Sequence, residues 1–195
     1  MDKDMKELEK YAEEYNIPII EKSSLNFIIR YIEQNNIKSI LEIGSAIGYS
    51  AINMALVRED INIVTIEKDN DRYLEALKNI KAFNLDDRIT LLLADALNID
   101  IDGKFDLIFI DAAKGKYKEF FEKYSSKLNR NGTIITDNIS FHGLIESKEK
   151  IKKKRLRTLV DKIKKYIEFI KSNKDFDTKF YKVGDGLSVS RRKND

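Results

Sequence analysis

The 195-residue sequence has no cysteine and no tryptophan, a single proline at Pro18 and a single histidine at His142. Without cysteine there can be no disulfide, no thiolate metal site and no thiol nucleophile. No apolar run approaches the roughly 18 residues that a membrane helix needs. The opening Met1-Asp2-Lys3-Asp4 is charged and lacks the apolar core of a signal peptide. These absences predict a chain with no membrane segment, and the default compartment is the cytoplasm.

What the chain does have is charge, at 35% of residues, and 42% hydrophobic residues, enough for one α/β domain with a single core. The net charge is +3, but it is unevenly distributed. Segment 148–174 carries twelve basic and three acidic residues, so it stands at +9 and the remainder at −6. A patch of this kind attracts phosphate backbones, and it equally suits a solvated helix face.

Hydrophobic periodicity predicts two N-terminal helices over 4–15 and 23–35, the second with Leu25, Ile28, Ile29 and Ile32 on one face. Ser23 or Ser24 would cap the second helix. A β/α alternation follows. Strands are predicted at 39–43, 61–66, 89–93, 105–110 and 132–136, with helices at 49–58, 71–83, 117–128 and 147–173. The 71–83 helix would turn Leu74, Leu77 and Ile80 inward, and Tyr166, Phe169 and Ile170 read as core. The last two strands, 178–183 and 187–190, flank Gly184-Asp185-Gly186 and should pair as a hairpin. The pattern implies one Rossmann-like α/β domain: a mainly parallel seven-stranded sheet with an antiparallel edge strand and helices on both faces. Residues 1–36 would form N-terminal helices and 37–195 the core.

Glu42-Ile43-Gly44-Ser45-Ala46-Ile47-Gly48 stands where the first strand turns into its helix. Gly44 would let backbone approach a ligand, and Gly48 would permit a close strand-to-helix crossing. The spacing is G-x-x-x-G rather than the dinucleotide G-x-G-x-x-G, which disfavours a nicotinamide dehydrogenase. A methionine-type cofactor has no pyrophosphate, and Glu42 suits its cationic amino group better than a phosphate. Glu67 ends the second strand, placed for two ribose hydroxyls, and Asp95-Ala96 would line an adenine pocket.

The fourth strand ends in Asp111-Ala112-Ala113-Lys114 and the fifth in Asp137-Asn138. Strand ends near a topological switch collect ligands. Asp111, Asp137 and Asn138 would supply oxygen ligands for a hard divalent cation such as Mg²⁺. Alternatively, Asp137 caps a turn and Asp111 binds only the cofactor. His142 reads as a solvated loop residue, and Phe141 and Tyr117 as packing residues.

The stretches LEIGSAIGYSAI, FDLIFIDAAKGKY and TIITDN, in this order, resemble the cation-dependent O-methyltransferase family of catechol and caffeoyl-coenzyme A methyltransferases. IPIIEKSSL, DDRI, KRLRTLV and VGDGLSVS extend the likeness along nearly the whole chain, toward a bacterial branch that methylates 5-hydroxyuridine in tRNA. The departures are a shorter N-terminus, a shorter loop before the fourth strand, and His142 in place of lysine.

The resemblance implies a class I methyltransferase fold, S-adenosylmethionine and Mg²⁺. It implies cofactor contacts at Ile20, Glu42, Gly44, Ser45, Ser50, Glu67, Asp95, Ala96 and Asp111, with Ile20 and Ser50 added by resemblance alone. It implies metal ligation by Asp111, Asp137 and Asn138. Asp111 and Lys114 would form the catalytic pair, with Lys114 as the candidate general base; a plain surface lysine is the alternative. It also implies a homodimer, and tRNA as a partner held by segment 148–174 at wobble position 34, giving 5-methoxyuridine. The other acceptor class is a small catechol-type or caffeoyl-coenzyme A-like molecule.

Overall fold

The computed structural model describes residues 4–141, 143–145 and 152–193. Asp4 caps α1 (Met5–Glu14), and α2 (Lys22–Gln34) follows. The alternating unit then runs β1 (Ser39–Ile43), α3 (Tyr49–Ala55), β2 (Asn62–Glu67), α4 (Asn70–Ala82), β3 (Ile89–Leu93) and β4 (Phe105–Ile110). A 3-10 turn (Lys114–Lys116), α5 (Tyr117–Ser125), β5 (Leu128–Thr136), α6 (Lys154–Ser172), β6 (Phe176–Tyr181) and β7 (Leu187–Arg192) complete it. Among the described residues no helix is long and apolar enough to cross a membrane.

The seven strands form one sheet in the order β3-β2-β1-β4-β5-β7-β6. β1 to β5 are parallel, while β7 runs antiparallel to both β5 and β6. The predicted hairpin therefore forms one margin of the sheet. The order reverses between β1 and β4, so their carboxyl ends open the crevice where this fold type binds ligands. β4 explains the central run of apolar residues. Leu107 and Phe109 face the layer of α1 to α3, and Ile108 and Ile110 face α5 and α6. A strand covered on both faces reads as a near-continuous apolar run, broken in β4 only by Asp106, which accepts the Lys38 and Ser39 N–H groups near the strand's start.

Four local expectations are corrected. α2 begins at Lys22 with Glu21 as its N-cap and no side-chain cap, so neither Ser23 nor Ser24 caps it. Ser24 is instead fully buried, and its hydroxyl is used in a tertiary contact. On α4, Ala76, Asn79 and Ile80 turn inward while Leu74 is 46% exposed. Ala76 sits on the inward line of the helix beside the Gly48 turn. β5 starts at Leu128, four residues before the predicted point, because Phe105 N–H already bonds to the Lys127 carbonyl. α6 starts at Lys154, with Lys153 as its N-cap. The predicted helix residues 147–151 lie outside the described residues, as does His142. Tyr166 and Ile170 are core as expected, with Phe169 packed against that core.

Candidate active site

The carboxyl ends of β1, β2, β4 and β5 and the α1–α2 link enclose a cavity of about 1340 Å³. That exceeds the usual few hundred to 1,000 Å³ of a single-ligand pocket and leaves room for two reactants. Ile20, Gly44, Ser45, Ser50, Glu67, Asp95, Ala96, Asp111, Lys114, Asp137 and Asn138 all line it. Glu42 does not.

The β1 turn is fixed by backbone bonds that prolong the sheet. Gly44 N–H bonds to the Ile66 carbonyl at 2.9 Å, and Asp111 N–H to the Ile43 carbonyl at 3.0 Å. Gly44 has φ +96°, and a Cβ there would overlap the Asp111 carbonyl. Close approach of the backbone after β4 is thus a second reason for glycine here, beside its place in the cavity wall. Gly48, the N-cap of α3, has φ +83°, while a Cβ would meet Ala76 only at ordinary contact distance. Its left-handed backbone, not a close crossing, calls for glycine.

Glu67 is held by three backbone donors: Ala46 N–H at 2.8 Å on one oxygen, and Lys68 and Asp69 N–H at 2.9 Å on the other. The carboxylate is preoriented at the cavity wall, with the second lone pair of the oxygen that meets Ala46 left for a hydroxyl donor. Ser45 Oγ is buried and has no hydrogen-bond partner among the described residues. A buried hydroxyl without a partner at a cavity wall fits a ligand that supplies one.

Glu42 is fully buried behind that wall, where it accepts from Ser50 Oγ and Thr65 Oγ, both at 2.5 Å. Burial pushes its pKa up to about 7, against the two hydroxyls. Ser50, which does line the cavity, connects Glu42 to it.

On the other side, Asn138 Nδ2 lies 3.4 Å from Asp111 Oδ1 and 3.1 Å from Asp137 Oδ2. Asp137 Oδ1 accepts from Asn138 N–H at 2.8 Å and from Ser24 Oγ at 3.4 Å, and the Tyr117 hydroxyl donates to the Asp137 carbonyl at 2.9 Å. Burial raises the pKa of both acids, Asp137 to about 7 with the charge of Asp111 as second cause. Lys114 is half-buried and its pKa is lowered by burial, against the charges of Asp111, Asp185 and Asp137. Its ammonium lies 5.5 Å from the centre of the Phe141 ring.

Among the described residues no group of three or more His, Cys, Asp or Glu side chains could hold a metal. The set here is two carboxylates and an amide, all oxygen-bearing, and it fits a hard cation that keeps waters or substrate oxygens. The amide nitrogen facing two acids becomes an amide oxygen when the side chain turns over.

The sequence reading missed the residues that hold these groups in place. Asn79 Nδ2 donates to the Ile47 carbonyl at 2.8 Å and steadies the β1 turn. Lys123 Nζ donates to the Leu97 and Ile99 carbonyls, and the Tyr124 hydroxyl to the Ala96 carbonyl, which pins the segment after β3. The available signals were polar residues on otherwise apolar faces: Thr65 in β2 and Asn79 in α4.

The chain matches the O-methyltransferase family over residues 2–193. A crystal structure from Staphylococcus aureus, provisionally assigned as a caffeoyl-CoA O-methyltransferase, superposes with TM-score 0.92 at 33% identity, over 98% of this chain and 93% of that one. The SAH-bound methyltransferase PaMTH1 of Podospora anserina gives TM-score 0.82 at 26% identity, over 90% of this chain and 80% of that one. Caffeoyl-CoA O-methyltransferase of Populus kitakamiensis is 27% identical over 187 residues, covering 91% of this chain and 78% of its own.

Proposed function

The chain belongs to the O-methyltransferase family, as an S-adenosylmethionine-dependent enzyme of the caffeoyl-CoA and catechol type, and on that premise we propose that it methylates a ring hydroxyl beside a divalent cation. The observation that carries this reading is the meeting of Asp111, Asp137 and Asn138 next to Lys114 at one end of the cavity. These three residues would hold Mg²⁺, which when bound lowers the pKa of an acceptor hydroxyl. S-adenosylmethionine supplies the electrophilic methyl.

The protein's own part is orientation and proton handling. Glu67 orients a ribose, while Ser45 and Ser50 receive the polar end of the cofactor. Ser24 and Tyr117 hold Asp137 from its side-chain and carbonyl sides. Lys114, with its ammonium form disfavoured by burial, accepts the acceptor's proton. Alignment of a nucleophilic oxygen with the methyl group supplies most of the rate.

The preferred acceptor is a small catechol-type or caffeoyl-coenzyme A-like molecule, in keeping with the relatives. A second reading, 5-hydroxyuridine in tRNA, is favoured by one observation: exposed Lys116, Lys154, Arg155 and Lys162 rim the same cavity. Labelled S-adenosylmethionine with catechol, caffeoyl-coenzyme A or 5-hydroxyuridine-bearing tRNA, each with Mg²⁺ or EDTA, separates them by mass analysis of the product. We expect a methylated catechol or thioester and activity lost to EDTA. Methoxyuridine as the one product would select the second reading, and full activity in EDTA would remove the cation. Asp137→Ala should abolish turnover, about 100-fold or more, with cofactor binding retained. The homodimer belongs to this proposal, and sedimentation at micromolar protein tests it.

A further inference from the structure

None of the residues given a role in methyl transfer above lies in α1, yet a polar knot ties this helix to the cofactor end of the cavity. Glu9 of α1 accepts the Tyr49 hydroxyl at 2.8 Å and the Lys22 ammonium at 2.7 Å. The three side chains come from three elements, Tyr49 and Lys22 being the first residues of α3 and α2. Tyr49 follows the Gly48 turn directly, is 4% exposed and lines the cavity. Lys22 follows the Pro18–Glu21 link, which forms part of the cavity wall.

One carboxylate thus joins two walls of the same cavity. The ammonium and then the hydroxyl hold its pKa below the usual glutamate range, so it is ionised wherever the enzyme works. Charged acceptors make the stronger hydrogen bonds. Elsewhere α1 is held by apolar packing, with Leu8 and Ala12 buried and Met5 and Tyr11 against the same core, and by the contact of Asn53 Nδ2 with Met5 Sδ at 3.5 Å. The Lys22 arm is 72% exposed, so by itself it contributes little. The Tyr49 arm is part-buried and carries the geometry.

We infer that Glu9 is a positioning residue for the cofactor, a latch that holds the Pro18–Glu21 wall and the start of α3 together around bound S-adenosylmethionine. The inference rests on the cofactor reading above and concerns residues that reading does not use. Opening the latch lets the wall move outward, so the cofactor leaves faster while the methyl-transfer geometry, set by the β4 and β5 ends, persists.

The test compares Glu9→Gln and Tyr49→Phe with Glu13→Gln, an exposed residue of the same helix. Calorimetric titration with S-adenosylmethionine should show roughly three- to tenfold weaker binding for the first two, the size of effect that one typical net intramolecular hydrogen bond carries. The KM for S-adenosylmethionine should rise in step with kcat unchanged. Amide exchange in α1 should be slowed by cofactor in the parent and much less in the two variants. Glu13→Gln should match the parent. Tyr49→Phe keeps the ring, so the comparison holds even if Glu9→Gln folds poorly. Unchanged binding in both variants, or lower melting temperature without a change in KM, overturns the latch alone. A parent that binds no S-adenosylmethionine overturns the latch together with the function it rests on.

Discussion

Glu42 and Thr65 are register partners on adjacent parallel strands, and the carboxyl of one accepts the hydroxyl of the other in a fully buried setting. Burial raises the folded-state pKa to about 7 from an ordinary value of 4.5. Across that window the folded protein keeps a proton that the unfolded chain has released. Its stability therefore falls as pH rises through the window, and the full cost is felt above pH 7. Glu42→Gln removes this cost while keeping a group that can meet Ser50 and Thr65. Denaturant unfolding of the cofactor-free protein should show the variant gaining on the parent between pH 4 and pH 8. The gain should be on the order of 3 kcal/mol. A difference between the two proteins that stays flat across this range would show that the carboxyl is ionised in the folded state throughout. At this scale the sequence was informative where function puts a polar residue at a strand end. Glu67, Asp111, Asp137 and Asn138 were all found that way, and all line the cavity. It was not informative about Glu42, which was read as a direct ligand contact. Its burial depends on a register with a strand 23 residues away.

At the scale of elements, the β1 turn is stabilised from a helix it does not adjoin in sequence. Asn79 on the inward face of α4 is fully buried, and it donates to the Ile47 carbonyl inside the Gly44–Gly48 turn. Asn79→Ala leaves that carbonyl short of a donor and should cost about 1–3 kcal/mol of stability. Because the turn carries Ser45, the KM for S-adenosylmethionine should rise while kcat holds. Thermal melts and initial rates at saturating acceptor measure the two effects. A stability loss with unchanged KM would make Asn79 a packing residue only. Element type was legible from apolar periodicity along the chain, since buried faces repeat with the helix or strand period. Details set by tertiary contacts were not. Ser24 has the composition of an N-cap, but its hydroxyl is drawn to Asp137, 113 residues away, and the helix starts without it. Leu74 fits an inward stripe by spacing, but α4 turns Ala76, Asn79 and Ile80 inward and leaves Leu74 exposed.

At the scale of the whole molecule, one cavity has acids on its walls, with Lys114 among them, and a basic rim. Glu67, Asp111 and Asp137 line its walls, while Lys116, Lys154, Arg155 and Lys162 are exposed at its rim. The rim exists because α6 lies across the 3-10 turn. A Cβ on Gly115 would touch Leu159 and Lys162, each at 3.5 Å. An uncharged catechol has no use for such a rim, whereas an acceptor carrying phosphates crosses it on the way in. Replacing Lys154, Arg155 and Lys162 together by Glu should leave kcat/KM for catechol within about twofold, since surface charge does not steer an uncharged acceptor. For caffeoyl-coenzyme A or tRNA, kcat/KM should fall. Its dependence on salt should flatten, for a nucleic acid by about 0.7–0.9 in log–log slope for each phosphate no longer neutralised. Steady-state rates at several salt concentrations with the three acceptors distinguish the cases. A rim that matters to none of them is a solvated helix face and nothing more. A rim that matters to tRNA alone would move the acceptor from a small phenol to a nucleic acid, leaving the cofactor walls and the Asp111–Asp137–Asn138 set in their present roles.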